Sequence, residues 1–147
     1  MTESVDHRRL GVDLFNHVWT LMETENRTPQ QDDEMIHAAH ASAHHWRQVG
    51  EAKHFARSEW QCSRVYVVLG RGEPALHHAR RCLAWCEVGE VEDWDLPYAY
   101  EALARASVAA GNEDDARRYA ANARELAAGV ADPGDREHLE EDLHTLP

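Results

Sequence analysis

Three sets of side chains at helical spacing carry the chemistry available to this chain. The first is an imidazole stripe: His37, His40 and His44 stand at i, i+3 and i+7, with Asp33 four residues upstream of His37. On one helix face that places three rings and a carboxylate on adjacent turns. Neutral imidazoles so arranged suit zinc or another borderline divalent metal, and His78 offers a fourth ligand. The stripe lacks a His-Glu-x-x-His signature, and of the adjacent His44 and His45 only one can face a given point. It therefore also reads as a solvated, hydrogen-bonded face. The second set is Arg57, Trp60 and Arg64, again at i, i+3 and i+7. Two guanidiniums bracketing an indole form a receptor for a carboxylate or phosphate, with the ring free to hold an apolar ligand part. The third is His78, Cys82 and Cys86 at i, i+4 and i+8, either a soft-metal edge or two small core thiols beside an imidazole. Such a ring beside a core needs a polar partner, for which Glu101 and Tyr100 are the candidates.

These sets require helices to position them, and the breaks in the chain define the helices. Thr28-Pro29-Gln30-Gln31 supplies a hydroxyl cap, a proline at the first helical position and a capping-box glutamine, which predicts a helix over 29–49 ending at Gly50. Further helices are expected over about 6–25, 51–69 (ending at Gly70), 72–87, 95–110 (ending at Gly111), and 113–128, with a short one opened by Asp132-Pro133. No segment shows the period-2 alternation of a strand, so the fold class is all-α with about seven helices. On the helix over 29–49, Met35, Ala39, Ala43 and Trp46 form the apolar face, which leaves the histidine stripe outside the core.

Composition limits the partners. With 147 residues one domain over 1–147 is expected, comprising an N-terminal helix within 1–28 and a capping helix within 132–147. Asp and Glu number 27 against 15 Lys and Arg, for a formal charge of -12, which repels nucleic acid and anionic membranes. The first 20 residues lack the pattern of a signal peptide, no run is long and apolar enough to span a bilayer, and the three cysteines are an odd number; the expectation is a cytoplasmic chain with reduced thiols. Eleven histidines, against the ~3–4 that typical usage gives, make a large titratable reserve between roughly pH 5 and 8. No Gly-rich phosphate loop follows a strand, and no serine sits in a glycine-flanked nucleophile elbow.

Two glycine breaks lie in matching contexts. Tyr66-Val67-Val68-Leu69-Gly70, followed by Ala75 and Cys82, corresponds at a 41-residue offset to Ser107-Val108-Ala109-Ala110-Gly111, followed by Ala116 and Ala123. In both, small residues five and twelve positions after the glycine permit close helix packing. Over about 56–126 the chain resembles the tetratricopeptide repeat, with an insertion at 87–95 that carries Trp94 between acids and is expected as a loop over one edge. More loosely it is similar to bacterial repeat-like proteins with His-Trp and Ser-Arg-Val-Tyr segments, here His45-Trp46 and 63–66, a likeness that brings no activity with it. The repeat resemblance implies an antiparallel helix-turn-helix α-solenoid. It places Arg57, Trp60 and Arg64 on the concave groove, with Tyr98, Glu101 and Arg105 at the corresponding positions of the later unit. Arg64 and Glu101 are then expected to pair across the groove. A purely structural ion-pair network would leave no pocket beside it.

Three functional expectations follow. The first is a small binding module whose groove, lined by His37, His40, His44, Arg57, Trp60, Arg64 and Glu101, holds a peptide or small anionic ligand. The alternative is a metal-dependent or acid–base enzyme in which His40 or His44, His78 and Glu101 converge and Arg64 steadies an anionic substrate. The third is a homo-oligomer that buries Trp19, Trp85 or Trp94 between subunits. The acidic run 137–142 is expected as a polar cap on the end of the stack. His7, His17, His138 and His144 are expected at the surface, and His54 has no evident partner.

Overall fold

The structure, a computed structural model, describes residues 4–147. It contains seven helices: α1 (His7–Glu23), α2 (Pro29–Val49), α3 (Ala52–Val68), α4 (Gly72–Val88), α5 (Asp95–Ala109), α6 (Glu113–Ala127) and α7 (Pro133–Leu143). No strand is present among the described residues. At α2 the expected capping box forms in full, with Gln31 N–H donating to Thr28 Oγ1 at 3.2 Å and Thr28 N–H donating to Gln31 Oε1 at 2.9 Å. Asp6, Asn112 and Asp132 cap α1, α6 and α7 through their side chains. Helix α1 stops two residues short of the expected Glu25. Asn26 adopts a left-handed conformation there, and the Arg27 guanidinium takes the carbonyls of Leu21, Met22 and Thr24 that end the helix. Its other face pairs with Asp32 at 2.8 Å, which fixes the approach of α2.

Each helix packs on the next in sequence, and α3 also touches α1 and α5. Apolar contacts form successive clusters instead of one large core. Val18, Leu21, Met35, Ala39, Cys62 and Val65 join α1 to α2 and α3. Ala75, Ala79, Ala102, Leu103 and Ala106 join α4 to α5. Ala104, Ala120, Ala123, Leu139 and Leu143 join α5, α6 and α7. Alanine dominates the later contacts, so these helices approach closely and bury little area per residue. No described helix is long and apolar enough to cross a membrane.

The matching glycine breaks have matching geometry. Gly70 and Gly111 have φ of 73° and 80°. Arg71 N–H donates to Tyr66 O and Asn112 N–H to Ser107 O, both at 2.8 Å, while the glycine N–H groups donate to Val67 O and Val108 O, both at 3.0 Å. This is the same left-handed C-terminal motif twice, 41 residues apart. Ala75 and Ala116 are wholly buried, as are Cys82 and Ala123 at the later small position to within 2 %. A Cβ at either glycine meets nothing within 4 Å, so backbone conformation alone opposes substitution. Gly70→Ala and Gly111→Ala should therefore each lower the unfolding free energy by about 1 kcal/mol, additively in the double variant, as read by urea denaturation.

Candidate functional site

The side chains at helical spacing on α3 and α5 meet on one side of the stack. Arg57 Nε and Nη2 donate to the two carboxylate oxygens of Asp95, each at 3.0 Å, a bidentate pair whose acid is 3 % exposed. The Arg57 guanidinium lies 4.2 Å from the ring centroid of Trp94. Glu101, only 1 % exposed, receives Trp60 Nε1–H at 2.9 Å on one oxygen, and Arg64 Nη1–H at 3.1 Å together with Arg105 Nε–H on the other. The expected pairing of Arg64 with Glu101 is thus present. Burial, followed by the neighbouring Arg105, lowers the Arg64 pKa from its ordinary value. Arg105 also donates to Asp142 O at 2.6 Å, and the Tyr98 hydroxyl donates to Asp142 Oδ2 at 2.6 Å. Burial and that bond raise the Tyr98 phenol well above its usual pKa.

A cleft of about 590 Å³ opens beside this network. Its lining comes almost wholly from the odd-numbered helices: Phe15 and Trp19 of α1, Arg57, Trp60 and Arg64 of α3, Tyr98 and Glu101 of α5, Asp135, His138 and Asp142 of α7, with Trp94 at the start of α5. The aromatic wall is continuous. Ring centroids are separated by 6.3 Å from Phe15 to Trp19, 5.6 Å from Trp19 to Trp60, 5.8 Å from Trp60 to Tyr98 and 6.2 Å from Tyr98 to Trp94. Trp19 and Trp94, expected as intersubunit contacts, are half-buried walls of this cleft, whereas half-buried Trp85 packs edge-on against Phe55 at 5.0 Å elsewhere.

The histidine stripe lies apart from the cleft, which corrects its expected place in the groove. His37, His40 and His44 do not line the cleft and are exposed on α2, an even-numbered helix. The physical reason is which flank of α2 the stripe occupies: it neighbours α4 and the opposite side of α3. His40 Nε2 is 2.9 Å from the Tyr66 hydroxyl, and the His78 ring stacks on Tyr66 at 5.6 Å and 7°. His78 Nδ1 is 2.6 Å from Glu59 Oε2, so Glu59 is its partner, in place of the expected Glu101 or Tyr100. On α3, Glu59 and Tyr66 sit roughly 130° around the helix from Trp60 and Arg64, at ~100° per residue. Glu101 consequently does not converge with His40, His44 and His78, and the expected catalytic set is split between two faces. His44 instead meets His45, whose Nδ1 is 2.9 Å from Nδ1 of His7. Among the described residues no three His, Cys, Asp or Glu side chains are gathered as a metal ion would require. Cys62, Cys82 and Cys86 are free and buried; burial raises the Cys62 thiol pKa, and a hydrogen bond with the Cys86 thiol, then burial, raises that of Cys82.

Helix α7 is the part that sequence reasoning missed. It was expected as a polar cap, yet Asp135, His138 and Asp142 form one wall of the cleft while Leu139 and Leu143 bury the adjacent flank. The i, i+3, i+7 spacing of those three residues was visible in the sequence, but nothing in it said which helix they would face. His54 also has partners: Nδ1 accepts Glu51 N–H at 3.0 Å and the ring stacks on Trp46 at 4.5 Å. No known family model matches the chain, and no curated protein matches it in sequence.

Two outcomes test these assignments. Removing the Glu101 carboxylate leaves two guanidiniums and an indole N–H without their acceptor, so Glu101→Ala should cost about 3 kcal/mol of stability. Arg64→Ala leaves Glu101 held by Trp60 and Arg105 and should cost about 1 kcal/mol; urea unfolding of both variants reads the difference. Several imidazoles are held below their ordinary pKa of 6.5: His40 by burial, then His78 and His37 against the opposing pull of Glu59; His45 by burial, then His7 and His44; His54 by burial, then Arg8, Arg57 and Lys53 against Glu51. A depressed folded-state pKa means that the unfolded chain takes up protons first as pH falls. Stability should therefore be full above about pH 7 and fall as pH drops through 6.5, with the denaturation midpoint lower at pH 5.5 than at pH 7.5. His40→Gln should flatten that dependence.

Proposed function

We propose that this chain is a repeat-like α-solenoid that binds its ligand without transforming it, and that the ligand sits in the cleft between the odd-numbered helices. The observation that carries this reading is the coexistence of a satisfied ion-pair network with an open, aromatic-walled cleft beside it. A network serving only to lock helices together would be expected to close over itself. A cleft of about 590 Å³ falls within the range of small-molecule sites, and its polar groups are few and fixed. Pre-organisation supports the same reading. The network holds Trp60, Arg57 and Tyr98 in place before a ligand arrives, so little side-chain entropy is lost on binding. The likeness to tetratricopeptide repeats agrees, since such scaffolds present ligands on the inner helices, although fold alone assigns no activity. The cleft accommodates a small molecule or the anchoring side chain of a peptide. The acid–base alternative receives no comparable support, because its imidazoles and Glu101 occupy different faces.

The five tryptophans make the test internal to the protein. Trp19, Trp60 and Trp94 line the cleft, whereas Trp46 and Trp85 do not. Titration of small aromatic compounds at millimolar concentration, followed by the indole N–H signals in two-dimensional NMR, should move the first three and leave the other two in place. Trp60→Leu should weaken binding at least tenfold. Compounds that move only Trp46 or Trp85 would place binding elsewhere.

A further inference from the structure

We infer that the cleft takes a ligand carrying a cationic nitrogen, a protonated amine or quaternary ammonium on a small apolar body, and that it discriminates against anions. This rests on the cleft being the binding site, and it revises the ligand charge expected from Arg57 and Arg64 in the sequence. The first ground is the charge left after internal pairing. Every arginine at the cleft is engaged: Arg57 with both oxygens of Asp95, Arg64 with Glu101, and Arg105 with Glu101 and the Asp142 carbonyl. Arg57 balances Asp95, while Arg64 and Arg105 share Glu101, which leaves one positive charge. Two acids remain on the α7 wall, Asp135 and Asp142. Neither forms an ion pair with an arginine among the described residues: the Asp142 carboxylate accepts the neutral Tyr98 hydroxyl, lies 3.6 Å from Nε2 of the exposed His138, and acts on Arg64 only as a neighbouring charge. The formal charge left on the cleft wall at neutral pH is therefore negative.

The second ground is the aromatic wall. Phe15, Trp19, Trp60 and Tyr98 line the cleft alongside those acids, and the negative face of a π-system attracts a cation within about 6 Å of the ring. The cleft already holds one such contact, between Arg57 and Trp94. The Trp60 N–H is engaged by Glu101, which leaves the ring and not its donor to a ligand. An anion would meet ring faces and two carboxylates. The nearest guanidinium, Arg64, already shares its charge with buried Glu101, so an anion reaching its remaining N–H groups gains a neutralised partner and still meets the α7 carboxylates. A cation on an apolar body meets neither obstacle.

Three probes of similar size and different charge decide the matter: phenethylammonium, 2-phenylethanol and 3-phenylpropanoate, titrated at pH 7.5 against the Trp19, Trp60 and Trp94 indole signals. Phenethylammonium should bind at least tenfold more tightly than the alcohol, with 3-phenylpropanoate weakest, and added salt should weaken the ammonium alone. In a double variant carrying Asp135→Asn and Asp142→Asn the ammonium should fall to the level of the alcohol. At position 142 an amide oxygen can still accept the Tyr98 hydroxyl, and the comparison of probes on the unaltered protein decides independently if the variant does not fold. Equal or tighter binding of the alcohol or the propanoate overturns the charge preference and leaves the cleft as a binding site. A preference for ammonium that survives both substitutions overturns the role given to α7. Failure of all three probes to move the cleft indoles overturns the binding site itself.

Discussion

The buried carboxylate of Glu101 is the interaction on which the rest of the arrangement depends. It takes an indole N–H and one guanidinium from α3, and a second guanidinium from its own helix, which in turn reaches α7. Burying one charge among two opposite ones is tolerable only because each oxygen is satisfied. Where α4 meets α5 the contact is alanine against alanine, with Ala75, Ala79, Ala102 and Ala106 fully or nearly fully buried. Where α3 faces α5, Ala56 and Ala99 pack closely in the interior, and long polar and aromatic side chains line the cleft side.

Much of this was legible in the sequence because it follows from helical period and local chemistry. The capping box at Thr28, the glycine breaks at 70 and 111, and the small residues after them are short-range signals, and they set the element boundaries to within a residue or two. That Arg57, Trp60 and Arg64 share one helix face, and Tyr98, Glu101 and Arg105 another, was legible for the same reason, since residues at i, i+3 and i+7 lie together; their correspondence across the groove came from the repeat resemblance. The contributions of Phe15, Trp19, Asp135 and Asp142 were not. They depend on how helices distant in sequence lie across α3 and α5, and no spacing within one helix encodes that. The histidine stripe failed in the same way. Its exclusion from the apolar face of α2 could be read from the sequence, but the direction of its flank, toward Tyr66 and His78 and away from the cleft, is a property of packing.

The histidine excess accordingly separates into local sets with different surroundings. His40, His78, Tyr66 and Glu59 form a chain of ring stacking and short polar contacts between α2, α3 and α4. His7 and His45 tie α1 to α2, and His54 caps α3 while covering Trp46. In each, the imidazole performs work open to a neutral ring, accepting or donating one bond and offering a flat face. Such rings add contact area at the margins of these helix pairs without needing complete burial.

One wall of the cleft belongs to α7, and α7 packs lightly on α6. Besides Leu139 and Leu143 it is held by Tyr98 and Arg105 at Asp142, while Arg124 takes the carbonyls of Leu143, Leu146 and Pro147 just beyond. A ligand gripped by Asp142 adds its free energy to the docking of that helix, and by reciprocity a firmly docked helix tightens the grip on the ligand. Local release of α7 would remove that wall and leave the Glu101 network standing, so a ligand held as proposed would make α7 a latch, and anything that captures the released helix would compete with the ligand without touching the cleft.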